Sequence, residues 1–235
     1  MRGIRNYLPN EARRRNISST GVTELDVNRA LQAVPKELLA HASSYGSVTL
    51  SYTYSSGGHV MASVLTSDVP HSVSFVYMMS EMTMMESPSV QALDAVWWQH
   101  DPGVTGFLFV SNTTGAARNV DLTYLDGLGK TIQTTHLALS GYSTRLLDLP
   151  IQNAAKETQR SGIGGIKMSY VGVPGDVSAA GGLINEGEGY SANISFWPHD
   201  VASSSPTNIS YGIAGMMVGT PDPMMMFSST TRFVP

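Results

Sequence analysis

The chain has 235 residues, room for one large domain or two small ones, with 42% hydrophobic residues to fill a core and a formal charge of −4. That charge excludes an overall basic field recruiting nucleic acid or acidic membranes, and the absence of cysteine excludes disulfides, thiolate metal sites and cysteine nucleophiles. No apolar run approaches the roughly 18 residues of a membrane span, and charged residues are only 14%, with Ser, Thr and Gly supplying polarity instead, which suits an all-β extracellular module.

The opening segment MRGIRNYLPNEARRR has no apolar stretch of the secretory kind, and its five arginines read as a solvated terminal segment. NRALQAVPKELLAHA follows, with Leu31, Val34, Leu38 and Leu39 at helical spacing and Pro35 splitting or restarting the helix. GSVTLSYTYSSGGHVMASVL (Gly46–Leu65) then opens a β pattern that returns as GGIKMSYVGVPGDVSAAGGL (Gly164–Leu183). Gly46, Val48, Leu50, Ser51 and Tyr52 fall against Gly164, Ile166, Met168, Ser169 and Tyr170 at an offset of 118. Gly58, Val60 and Ala62 fall against Gly175, Val177 and Ala179 at 117, and Ser74-Phe75 against Ser195-Phe196 at 121. Upstream, Leu25-Asp26-Val27 matches Leu147-Asp148-Leu149. The preserved order predicts a tandem duplication with a unit of about 120 residues, the size of one sandwich domain.

Between the copies lies a Met- and Trp-containing junction, expected over 79–103. The complete unit is expected over 104–198, a partial one over 1–78, and a tail or lead-in to a further repeat over 199–235. Within the complete unit, GFLFVSN (Gly106–Asn112) and NVDLTYLD (Asn119–Asp126) read as strands, and Asp126-Gly127-Leu128-Gly129 as a hairpin turn. KTIQTTHLAL and YSTRLLDL continue the sheet; a polar, helix-compatible insert covers 152–160. GIKMSYVG, DVSAAGGLI and YSANISFW close the unit, with Pro174-Gly175-Asp176 as a turn. Seven short strands at this spacing predict an antiparallel sandwich, a small closed barrel being the competitor. Val120, Leu122, Tyr124, Leu147, Leu149, Ile166, Met168 and Tyr170 take alternate positions and are the expected core.

The run GFLFVSNTTGAARNVDLTYLDGLGKTI, the leucine-aspartate strand and GGIKMSYVGVPGDVSAAGGLI together resemble immunoglobulin-like repeats of large bacterial exported proteins. The resemblance covers 106–197 and in part 25–75. It implies tandem all-β sandwich units, a structural or adhesive role at the cell surface, adjacent repeats of the same array as partners, and no active site to carry over.

The chemistry-bearing motifs are sparse. GLGKT (Gly127–Thr131) imitates the end of a phosphate-binding loop, but Tyr124 stands where the first glycine is needed and the following residues alternate like a strand. His41, His59, His71, His100, His136 and His199 are dispersed and form no close metal pair. No enzyme and no cofactor are expected. Met79, Met82 and Met84 are soft ligands at a spacing that could gather Cu(I), against the plainer reading of flexible methionines filling an interface. Trp97 and Trp98 are adjacent, so in a strand they face opposite ways and one can be exposed. With Tyr142 they are the expected contact for a protein or glycan partner, the runner-up function being a carbohydrate-binding module. Asn16, Asn112, Asn193 and Asn208 head N-x-Ser/Thr triplets.

Overall fold

Local alternation and turn chemistry build the sheets seen in the computed structural model, which describes residues 26, 46–47, 62–68, 73–78, 87–99, 103–149 and 162–198. These residues are all-β and contain no helix. The helical inserts expected over 28–42 and 152–160 lie outside the described residues, as do Val48, Leu50 and the tail over 199–235.

The described residues hold eleven strands in chain order: β1 (Ser63–Asp68), β2 (Val73–Met78), β3 (Ser89–Gln99), β4 (Thr105–Asn112), β5 (Arg118–Asp126) and β6 (Thr131–Leu139). β7 (Thr144–Asp148), β8 (Gly162–Gly172), β9 (Val177–Asn185), β10 (Tyr190–Ser195) and β11 (Trp197–Pro198) complete them. A five-stranded sheet runs β11-β3-β8-β5-β6, a four-stranded sheet runs β10-β9-β4-β7, and β1-β2 form a separate hairpin. Every pairing is antiparallel. From β3 onward only β5–β6 and β9–β10 are consecutive partners; the other connections pass from one sheet to the other.

Both sheets supply one core. Val120, Leu122 and Tyr124 of β5 and Ile166, Met168 and Tyr170 of β8 meet Leu108 and Val110 of β4, Leu183 of β9 and Ile194 of β10. Seven of the eight core positions read from the sequence are buried; Leu147 is half-buried and packs against the rest. The period of two explains this: a one-residue slip in β5 would put Asp121 and Thr123 inside.

Within the segment expected as a junction, β3 pairs with β8 over eleven residues and lies between β8 and β11. Ala95 and Trp97 of β3 enter the same core. Trp97 is fully buried, so of the two adjacent tryptophans it presents no exposed ring. Its indole lies over Gly164, where an added Cβ would collide with the ring and with the Leu125 carbonyl. Glycine at that one position makes room for the tryptophan.

The β1-β2 hairpin packs on the outer side of the four-stranded sheet. Phe75, only 4% exposed, sits over Gly182 and meets Phe107 edge to face at 5.3 Å. The Tyr77 hydroxyl donates to the Gly181 carbonyl at 3.1 Å. Ser191 Oγ donates to the Ser74 carbonyl at 2.9 Å and accepts from the Ser74 amide at 3.0 Å, and Asn193 Nδ2 donates to the Val76 carbonyl. Side chains of β10 thus satisfy the β2 backbone where a strand ladder would otherwise be needed.

Candidate functional site

Three connections converge at one end of the two sheets: 113–117 after β4, 140–143 after β6 and 173–176 after β8. Their anchor is Asn112, the last residue of β4 and 1% exposed. Its Nδ2 donates to the carbonyls of Ala116 at 2.7 Å, Ser140 at 3.0 Å and Leu139 at 3.4 Å. Its Oδ1 accepts from the Thr114 amide and hydroxyl, both at 2.9 Å. The triplet at Asn112 is therefore unavailable for glycosylation in the folded chain: the amide is buried and fully engaged.

Asp176 ties in the third connection. Its Oδ2 accepts from Arg118 Nη2 at 2.6 Å, from Arg118 Nε at 3.1 Å and from the Val173 amide at 3.1 Å. Its carbonyl accepts from the Thr113 amide at 2.9 Å, and the Thr113 hydroxyl donates to the Gly175 carbonyl at 2.5 Å. The Tyr170 hydroxyl donates to the Val173 carbonyl at 3.3 Å and accepts from the Gly175 amide at 3.0 Å. Burial pushes the Tyr170 phenol up from its ordinary value, with Gly175 and Val177 backbone hydrogen bonds opposing.

On this braced end stands Tyr142. It is 56% exposed, its backbone has φ +54°, and its amide donates to the Thr114 carbonyl at 2.8 Å. Its ring lies against Gly115, where an added Cβ would come within 3.3 Å. A non-glycine residue at positive φ is uncommon and persists where the surroundings over-determine it. The result is a half-exposed phenol ring that leans on Gly115 at the tip of a polar frame.

Tyr142 and Trp97 are not brought together. Ser89 pairs with Gly172 at the Tyr142 end of β3, and Trp97 pairs with Gly164 eight residues on, roughly 26 Å at about 3.3 Å per residue. Trp98 lies opposite Ile163 in the ladder, and its side chain falls outside the described residues. Met79, Met82 and Met84 fall outside them as well.

The tryptophan that is exposed is Trp197, at 55%. It was missed because its exposure follows from β11 pairing for only two residues at the sheet edge, a non-local fact. It stands opposite Asp94, and the same row continues through Lys167 and Thr123 across the outer face of the five-stranded sheet.

A neighbouring row holds Ser169, Asp121 and His136, the residue types of a hydrolytic triad. The order is wrong for that chemistry. Asp121 lies between the other two, its Oδ1 2.6 Å from His136 Nδ1, which leaves the imidazole two strands from the serine, roughly 10 Å. GLGKT forms the β5–β6 turn: Asp126 Oδ1 accepts from the amides of Leu128 and Lys130, and Gly129 has φ +80°. Among the described residues no three of His, Asp or Glu gather as a metal site. No known family model, curated protein or solved structure matches the chain.

Proposed function

We propose that the chain is a non-enzymatic structural or adhesive module of an exported or cell-surface protein, built from tandem immunoglobulin-like sandwich units. The reading rests on one observation. β1-β2 and β9-β10 are the same hairpin 117 residues apart: Ser63↔Met78 corresponds to Ala180↔Ser195, and Asp68↔Val73 to Asn185↔Tyr190. All six pairs keep this correspondence, and four residues connect the strands in each. The offset is the one already present between Gly58-Val60-Ala62 and Gly175-Val177-Ala179, which lead into the two hairpins. A duplicated unit retains register because register decides which side chains face inward. The hairpins align Ser74 with Ser191, so the apparent match of Ser74-Phe75 to Ser195-Phe196 belongs to a different register.

Two facing antiparallel sheets support the immunoglobulin-like label at the level of architecture, although the strands alternate between sheets more often than in the constant-type immunoglobulin order. The Tyr142 end supplies the contact surface, since sandwich loops carry recognition on a scaffold that holds them. Treating intact producing cells with protease and identifying the released peptides tests the reading. Release of peptides spanning Tyr142 supports surface display; recovery of the protein only after lysis overturns it.

A second reading, glycan binding, is favoured by Trp197. An exposed indole beside a row of hydrogen-bonding side chains offers the stacking face and polar partners a sugar ring uses. A glycan array with wild type, Trp197→Ala and Tyr142→Ala decides it, and binding unaffected by either substitution rejects both platforms.

A further inference from the structure

We propose that the outer face of β9 and β10 is a binding site for an extended segment of Phe-x-Tyr pattern, filled by the chain's own β2 or, by exchange, by the β2 of a second copy. The inference does not depend on the tandem reading. The site is occupied in the structure, and its occupant shows how a segment is read. Main chain is recognised at alternate residues. Ser191 Oγ accepts from the Ser74 amide at 3.0 Å and donates to its carbonyl at 2.9 Å, and Asn193 Nδ2 donates to the Val76 carbonyl. The Ser74 and Val76 side chains are themselves exposed, Val76 at 47%, so these positions place little demand on side-chain identity.

The residues that alternate with them are read by shape. The Phe75 ring fills the space that Gly182 leaves open and meets Phe107 edge to face at 5.3 Å. Two residues on, the Tyr77 hydroxyl donates to the Gly181 carbonyl at 3.1 Å, and its ring stacks with Phe75 at 6.0 Å. The site thus selects an aromatic ring and then a phenol on the same face of one strand. Of the chain's six phenylalanines only Phe75 has a tyrosine two residues on. Within this sequence β2 alone fits, and a second copy supplies the same fit.

Exchange keeps every one of these contacts. β1 and β2 close their own ladder over six pairs, and β9 keeps its pairing with β10 and β4 whichever hairpin is seated. Among the described residues no ladder joins the hairpin to either sheet, and the chain crosses between them once, over 79–88. Two copies that trade hairpins form the same contacts reciprocally in a closed two-fold arrangement. Protein concentration then sets the balance between the one-chain and two-chain forms.

Two variants of the full chain separate giving from receiving. Phe75→Ala/Tyr77→Ala leaves the site intact and removes the rings that fill it. Gly182→Ala keeps the rings and blocks the site with a methyl group that strikes Phe75 and Phe107. Neither variant alone should dimerise, and an equimolar mixture should give a one-to-one heterodimer by native mass spectrometry and light scattering. Adding Tyr77→Phe to the second variant, or Asn193→Ala to the first, should weaken the heterodimer about fivefold, the loss of one hydrogen bond. Adding Val76→Thr to the second should leave it unchanged. No heterodimer, or a homodimer of either variant, overturns the proposal. So does a heterodimer indifferent to Tyr77→Phe and Asn193→Ala, because apolar adhesion then takes the place of recognition. If either variant fails to fold, isotope-labelled and unlabelled wild-type chains are incubated together at high concentration. Mixed dimers that Tyr77→Phe weakens support the exchange; their absence overturns it.

Discussion

At the scale of single residues, Asn112 does the most. One amide side chain, itself 1% exposed, meets three carbonyls and a backbone amide from the segments after β4 and at the end of β6. Asn112→Ala leaves those groups unpaired and should cost about 3 kcal/mol, read as a lowered urea midpoint with an unchanged slope. Thr114→Ala removes one of its partners near the surface and should cost about 1 kcal/mol or less. Equal effects of the two substitutions would show that Asn112 is not the anchor. None of this was legible in the sequence, where Asn112 was only a strand end before a turn, because its partners lie up to 28 positions away. The tryptophans were half legible for a related reason. Adjacent aromatics in a strand must face opposite ways, but which one enters the core is set by pairing with Gly164, a glycine that only the fold brings beneath Trp97.

At the scale of elements, β4 to β10 were legible almost to their ends, because alternation and Asp-Gly or Pro-Gly turns are local signals. β3 was not. Its inner face carries Ala95 and Trp97, its outer face exposed Val90 and Val96, and a strand apolar on both faces shows no alternation to read. The β1-β2 hairpin gives this scale its test. Gly182 lacks a side chain where the Phe75 ring rests, and an added Cβ would strike that ring and the ring of Phe107. Gly182→Ala should release the hairpin, seen as new protease cleavage within 63–78 while the rest of the chain stays protected. Adding Phe75→Ala should relieve the clash and restore part of the protection. Cleavage unchanged in the single variant would mean that the hairpin is held by Ser191 and Asn193 alone.

At the scale of the whole molecule, alkaline titration reads both the core and the docked hairpin. Burial pushes Tyr124, in the core, and Tyr77, in the hairpin, up from 10.0 to about 12. The unfolded chain releases these protons near pH 10 and the folded chain only near 12, so their stabilising contribution is complete below pH 10 and is lost as pH rises toward 12. Stability measured by urea unfolding should therefore be flat up to about pH 10 and then fall, and Tyr124→Phe should flatten the fall. A slope unaltered by that substitution would place the ionisation elsewhere. The pairing of β11 with β3 has another consequence, for behaviour under tension. Trp197 stands opposite Asp94 and Pro198 opposite Leu93, so β3 and β11 run antiparallel, side by side. Pulled at positions 87 and 198, both strands leave the sheet from the same side, and the load meets their pairs one after another. Two pairs offer little resistance, and the closing strand should peel away at low force before the core is disturbed. A single-molecule trace would record this as a short early lengthening ahead of the main rupture, a give built into one end of an otherwise stiff fold.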